Sequence, residues 1–118
     1  MLKGSCCCQI VEFELKEEPS LMGTCHCSRC RKVGASTIVF ISKNSLEIIK
    51  GEEFIGAYLP EEGYKYKRNF CTHCGTSLGE ILSEEESFPI PANIIDSELK
   101  VEHSFHEFEH EKPKWQKI

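Results

Sequence analysis

Seven of the eight cysteines in this 118-residue chain fall into three short clusters, Cys6/Cys8, Cys25/Cys27/Cys30 and Cys71/Cys74. Thiolates two or three residues apart reach a single zinc ion at about 2.3 Å per Zn–S bond, whereas residues i and i+2 of an extended segment do not form an unstrained disulfide. A structural zinc takes four protein ligands, and a catalytic zinc takes three and keeps one position open. Seven clustered thiolates therefore divide as four and three, one closed site and one open site. In Cys6-Cys7-Cys8 an extended backbone puts the outer two side chains on one face, which makes Cys7 the expected non-ligand. Cys71-Thr72-His73-Cys74-Gly75 has the form of a zinc knuckle, with Gly75 free to take a positive φ and His73 pointing away. Spacing does not settle how the clusters pair. Joining Cys27/Cys30 to Cys71/Cys74 leaves forty residues between them (31–70), against about 15–20 in a zinc ribbon.

A chain of this length is expected to form one domain over residues 1–118, with a modest core that metal would reinforce. The first residues, Met1 to Ser5, hold no apolar h-region, and no stretch is long enough to cross a bilayer, so a soluble, cytoplasmic protein is expected. The same features, with the C-x-C and C-x-x-C spacings, favour reduced, metal-bound thiols over a secreted disulfide scaffold. The formal charge of −5, from 14 Lys and Arg against 19 Asp and Glu, argues against nucleic-acid binding. Concentrated positive charge occurs only at Arg29, Arg31 and Lys32 and at Lys65, Lys67 and Arg68, enough for a small anion.

Val11, Phe13 and Leu15 alternate with Glu12 and Glu14, the period of a half-buried strand. Further strands are expected over residues 37–42, 45–50, 54–59, 64–70, 76–82 and 92–95. One helical turn is allowed between Cys30 and Ser36, ended by Gly34. Residues 83–87, with three consecutive glutamates, read as a solvated loop, and the aromatic residues of segment 100–118 (Phe105, Phe108, Trp115) as closing the core. The class is mainly β, built of short antiparallel strands around the cysteine clusters.

The ordered motifs GSCxC at Gly4 to Cys8, CHCSxCRK at Cys25 to Lys32, FCxxCGT at Phe70 to Thr76 and HxFxxxKPxW at His106 to Trp115 resemble the glutathione-dependent formaldehyde-activating enzyme family, also called the centromere-protein-V/GFA domain. The resemblance spans nearly the whole chain. It implies an all-β fold, the β-tent related to the Mss4-like fold, with a structural zinc on Cys6, Cys8, Cys71 and Cys74 and a catalytic zinc on Cys25, Cys27 and Cys30. The implied activity is that of a carbon–sulfur lyase that joins a zinc-activated thiol such as glutathione to formaldehyde or a related small aldehyde. Arg29, Arg31 or Lys32 would attract the carboxylates of the thiol cosubstrate, or else form a solvated face that balances thiolate charge. His26 and His106 are proton carriers by residue type, or packing residues. Gln9 departs from the family pattern, which has glycine after C-x-C, and the departure bears on backbone geometry more than on ligation. Two further readings stand beside the enzyme: a non-enzymatic interaction module, and a structural domain in which Cys7 or a histidine closes the second site. A three-thiolate site is also weaker and more easily oxidised than a four-thiolate one.

Overall fold

A computed structural model describes residues 1–65 and 67–117. Tyr66, inside the predicted strand 64–70, and Ile118, at the end of the predicted segment 100–118, lie outside the described residues. Ten short strands carry the fold: β1 (Leu2–Ser5), β2 (Glu12–Leu15), β3 (Leu21–Cys25), β4 (Thr37–Ser42), β5 (Leu46–Lys50), β6 (Ile55–Tyr58), β7 (Arg68–Cys71), β8 (Ser77–Gly79), β9 (Ser87–Pro91) and β10 (His103–Glu107). A five-residue helix, α1 (Ser28–Lys32), follows β3. The strands form three sheets, ordered β1-β2-β5, β10-β3-β4-β9 and β6-β7-β8. All pairings are antiparallel except that of β10 with β3, which is parallel and adds a later segment to the edge of the central sheet. The mainly β class expected from the sequence is the class observed, with this one parallel pair as the exception.

The alternation in β2 works as expected. Val11, Phe13 and Leu15 are fully buried, and the ring of Phe13 lies over Gly4 of β1, where a Cβ would overlap it. Register explains the central sheet. Met22, Val39 and Ile90 are aligned across β3, β4 and β9, as are Gly23, Ile38 and Pro91, and aligned residues share a face. Val39, Ile41, Phe88 and Ile90 fill the main core. The alternate set, including Cys25, Ile38, Phe40, Pro89 and Pro91, lines a cavity on the opposite side. The sheet is thus a partition, with the core behind it and the site in front.

Several boundaries differ from the sequence reading. Residues 92–94 form a 3₁₀ turn instead of a strand, and strand 64–70 is confined to Arg68–Cys71. The helical turn starts two residues earlier than expected because the Cys27 side chain caps it, accepting from the Cys30 backbone N–H at 3.3 Å. Gly34, with φ 73°, follows the turn as expected. The expectation that the later aromatics close the core is corrected. Phe105 is half-buried over Gly23 and near the Phe40 ring, but Phe108 is 49% exposed and Trp115 is 77% exposed. Only the ring at register with Gly23 finds a sheet surface to cover.

A Cβ at Gly23 would overlap the Phe105 ring. Gly23→Ala is therefore expected to lift β10 from β3 and destabilise the metal-loaded protein by about 1–3 kcal/mol, read by urea denaturation.

Candidate metal centres

Two sulfur clusters form, one of Cys6, Cys8, Cys71 and Cys74 and one of Cys25, Cys27 and Cys30. Within each, the sulfurs lie within 4.8 Å of one another. All eight cysteines are free thiols. A tetrahedron with legs of about 2.3 Å has edges of about 3.8 Å. The Cys6–Cys8 and Cys8–Cys71 sulfur separations are 3.6 and 3.9 Å, close to those edges, so this donor set suits a tetrahedral ion. Both clusters could hold metal ions, and both are consistent with zinc.

The four-sulfur centre is built by two backbone turns. After β1, Cys6 N–H donates to Val11 O and Gln9 N–H to Cys6 O, and the chain reverses with Gln9 at φ 65°. After β7, Gly75 takes φ 80°, as the knuckle form requires, and its N–H donates to Cys71 O. The Thr76 hydroxyl joins the turns, accepting from the Cys7 N–H at 3.0 Å and lying 3.1 Å from Cys74 Sγ. That hydroxyl pulls the Cys74 thiol down to about 5. At Cys8 the Ile10 amide favours the thiolate, but burial and the neighbouring thiols outweigh it and push the thiol up to about 12. Four thiols this close do not all ionise unaided, and a dication at their centre removes the conflict. Cys7 is exposed and His73 is exposed, each outside the cluster.

The three-sulfur centre sits where β3 runs into α1. Burial pushes Cys25 up to about 12 and raises Cys30. Cys27 moves the other way: burial opposes its ionisation, but the Cys30 amide and the adjoining thiols outweigh that. Arg68 of β7 donates from Nη2 to Cys30 Sγ at 3.7 Å. Among the described residues no fourth cysteine, histidine or carboxylate joins this cluster. Neither Cys7 nor a histidine closes it.

The cluster lies in a cavity of about 500 Å³ whose walls include Ile38, Phe40, Pro89, Pro91 and Phe108, with Arg29, Tyr64, Arg68, Glu80, Glu107 and Glu111 among its polar lining. Of the three cations singled out in the sequence, Arg29 lines this cavity, ion-paired to Glu61 at 2.7 Å and stacked 3.9 Å over the Tyr64 ring. Arg31 turns its Nε to His26 O, and Lys32 is exposed outside the lining. His26 and His106 do not line it either. His26 is 1% exposed, and its Nε2 lies 2.9 Å from His106 Nδ1 with the rings stacked, while its Nδ1 is buried without a partner among the described residues. Burial, then the His106 charge, lowers the His26 pKa. These rings pin β10 to β3 on the face away from the cavity, together with the Thr24–His103 contact at 2.8 Å. Glu80 and Glu111 were not found by sequence reasoning, and Phe108 was expected in the core. Only three-dimensional closure of β8 and the segment after β10 brings them to the cysteines.

A mainly β chain with one four-cysteine and one three-cysteine cluster is a recognisable class of protein able to bind metal. The family model described as glutathione-dependent formaldehyde-activating enzyme matches residues 1–111, and the chain belongs to this GFA family. It is similar to a Rhodobacter sphaeroides protein of known crystal structure, a structural-genomics target, with a TM-score of 0.66 and 26% identity over 83% of this chain and 91% of that one. Comparison with curated proteins gave no match. Family membership and the two clusters support a GFA-type function. No helix among the described residues is long and apolar enough to cross a membrane.

Two outcomes test the centres. Cys27→Ser is expected to drop metal content from two ions to one with the far-ultraviolet spectrum kept, whereas Cys8→Ser is expected to lower the melting temperature sharply; metal analysis under reducing conditions with thermal unfolding reads both. Gln9→Gly relieves a left-handed backbone and is expected to stabilise the loaded protein by about 0.5–1 kcal/mol in urea denaturation.

Proposed function

We propose that the chain is a zinc-dependent carbon–sulfur lyase of the S-(hydroxymethyl)glutathione synthase type, joining a thiol such as glutathione to formaldehyde or a related small aldehyde. The observation that carries this reading is the three-sulfur centre opening into an apolar-walled cavity with no fourth donor among the described residues. Cys25, Cys27 and Cys30 would hold the catalytic zinc, and Cys6, Cys8, Cys71 and Cys74 a structural one. A zinc bound there would favour the thiolate form of an incoming thiol near neutral pH.

The chain supplies the rest. Ile38, Phe40, Pro89 and Phe108 give the reacting carbon and sulfur an apolar wall, which would disfavour competing hydration of the aldehyde. Arg68 holds Cys30 in place. Arg29, steadied by Glu61 and Tyr64, is the cation placed to meet a carboxylate of the thiol cosubstrate. Arg31 and Lys32 would act only on the approach to the cavity. Free thiols in all eight positions suit a reducing, cytoplasmic setting.

Thiols add to formaldehyde unaided, so the test must read a rate against background. Magnetisation-exchange NMR on an equilibrium mixture of glutathione, formaldehyde and their adduct does so. The zinc-loaded protein is expected to speed exchange, and both the Cys27→Ser variant and the chelator-treated protein to return it to background. Equal exchange in all samples would overturn the proposal.

A further inference from the structure

Adding a thiol to an aldehyde leaves one proton to be moved. The S–H bond breaks, the C–S and O–H bonds form as the carbonyl π bond is lost, and no electrons leave the pair of reactants. Some group must take the proton from sulfur and return it to oxygen inside a cavity whose walls are largely apolar. The two histidines that suit this by residue type face the other side of the sheet.

The cavity holds a carboxyl with no structural task. Glu80 lies just beyond β8, in the same cavity lining as Cys25, Cys27 and Cys30. Its backbone is fixed: its N–H donates to Pro89 O at 3.0 Å, and its own carbonyl accepts from Ser83 N–H at 2.8 Å. Gly79 before it has φ 61°, and a Cβ there would come within 2.8 Å of Ile90 Cα and Pro89 O, so only glycine lets β8 close this tightly on β9 and deliver residue 80 to the cavity. The side chain is half-buried, yet no hydrogen bond or ion pair engages its carboxyl among the described residues. Arg68, whose charge acts on Glu80, gives its Nη2 to Cys30 Sγ instead. Carboxyls raised by burial and set in a cleft without a fixed partner gather at functional sites.

Resting on the lyase reading above, we propose that Glu80 is the proton carrier of the reaction: its carboxylate takes the proton of the thiol as the sulfur docks against the three cysteines, and its carboxylic acid returns that proton to the carbonyl oxygen as the C–S bond forms. In the cleavage direction the same carboxylate removes the hydroxyl proton of the adduct and hands it to the departing sulfur. The proton is conserved within the site, so no further reactant is needed.

The electrostatic setting agrees. Burial pushes Glu80 up to about 7, opposed by Arg68 and assisted by Glu85. Besides Cys25, Cys27 and Cys30, the other charged or titratable groups of the lining are Arg29 on α1, Tyr64 in the loop before β7, Glu107 at the end of β10 and Glu111 beyond it. Arg29 is held by Glu61, and Glu111 accepts from the Ser28 N–H at 3.1 Å. A carrier that titrates near neutrality exchanges protons in both directions with little bias.

The test uses zinc-saturated wild type, Glu80→Gln and Glu80→Asp. The first readout needs no turnover: calorimetry of glutathione binding at pH 7 in two buffers of different ionisation heat, without aldehyde. Glu80→Gln is expected to release about one proton per thiol bound, and wild type as little as about half of that, because a carboxyl already about half protonated at pH 7 can take up about half a proton more, with Glu80→Asp restoring retention. The second is the exchange rate of the adduct against pH. In wild type the cleavage rate is expected to rise from pH 6 to 8 through the Glu80 ionisation, and Glu80→Gln to be flat and about a hundredfold slower. Equal proton release, with matching pH profiles in wild type and Glu80→Gln, would overturn the carrier role while leaving the lyase reading intact. Failure of wild type to bind the thiol would overturn both.

Discussion

Four sulfurs from two hairpins 63 residues apart hold the frame. The β1-β2-β5 and β6-β7-β8 sheets have three short strands each, and a sheet of that size buries too little on its own to be stable. Cys6 and Cys8 leave the first sheet and Cys71 and Cys74 the second, so their convergence ties both sheets into one body around the buried residues of β2, β4 and β9. Cys6 and Cys71 are themselves part of that core. The side chains and the sulfur centre therefore share one set of constraints: the backbone turns that aim the thiolates also set the angle at which the sheets meet.

β7 carries this constraint from one centre to the other. It ends in Cys71, a member of the four-sulfur cluster, and begins at Arg68, whose guanidinium rests on Cys30 of the three-sulfur cluster. A shift of that strand would disturb both. The second centre has less support of its own, because α1 is five residues long and is capped by one of the very sulfurs it presents. A helix this short has little intrinsic stability. Its geometry comes from Arg68 on one side and from the backbone bonds of Cys25 to Ser36 and Ala35 to Cys30 on the other.

What the sequence disclosed, and what it did not, follows from how far each signal reaches along the chain. Val11, Phe13 and Leu15 announce their strand by strict alternation, and the cysteine clusters announce chelation by spacing, both properties of a few neighbouring residues. β9 gave no such sign. Its sequence, Ser87-Phe88-Pro89-Ile90-Pro91, holds two prolines, which argue against a central strand but are tolerated here because β9 is at the edge of its sheet. β1 and β3 are interrupted by Gly4 and Gly23, which look like breaks and are in fact the places where Phe13 and Phe105 lie flat on the backbone. The helical turn was placed two residues late because thiol capping by Cys27 is not a common start signal. How the clusters pair was not legible from spacing; the motifs implied it by resemblance, and the sheets enact it. Glu80 was invisible because nothing local marks a glutamate after Ser-Leu-Gly as different from the exposed glutamates that follow it.

The parallel strand β10 has a consequence for how proteins of this design diversify. It reaches the central sheet only along β3, held there by His106 on His26 and by the His26 N–H on Glu107 O, and it brings Glu107, Phe108 and Glu111 to the rim of the cavity. The clustered cysteines all precede residue 75, so this part of the rim and the two sulfur clusters are written in separate stretches of the chain. Substitutions at Glu107, Phe108 and Glu111 can remodel that part of the rim without touching a single sulfur. Such a layout lets that wall vary from one relative to the next while both sulfur clusters are inherited unchanged.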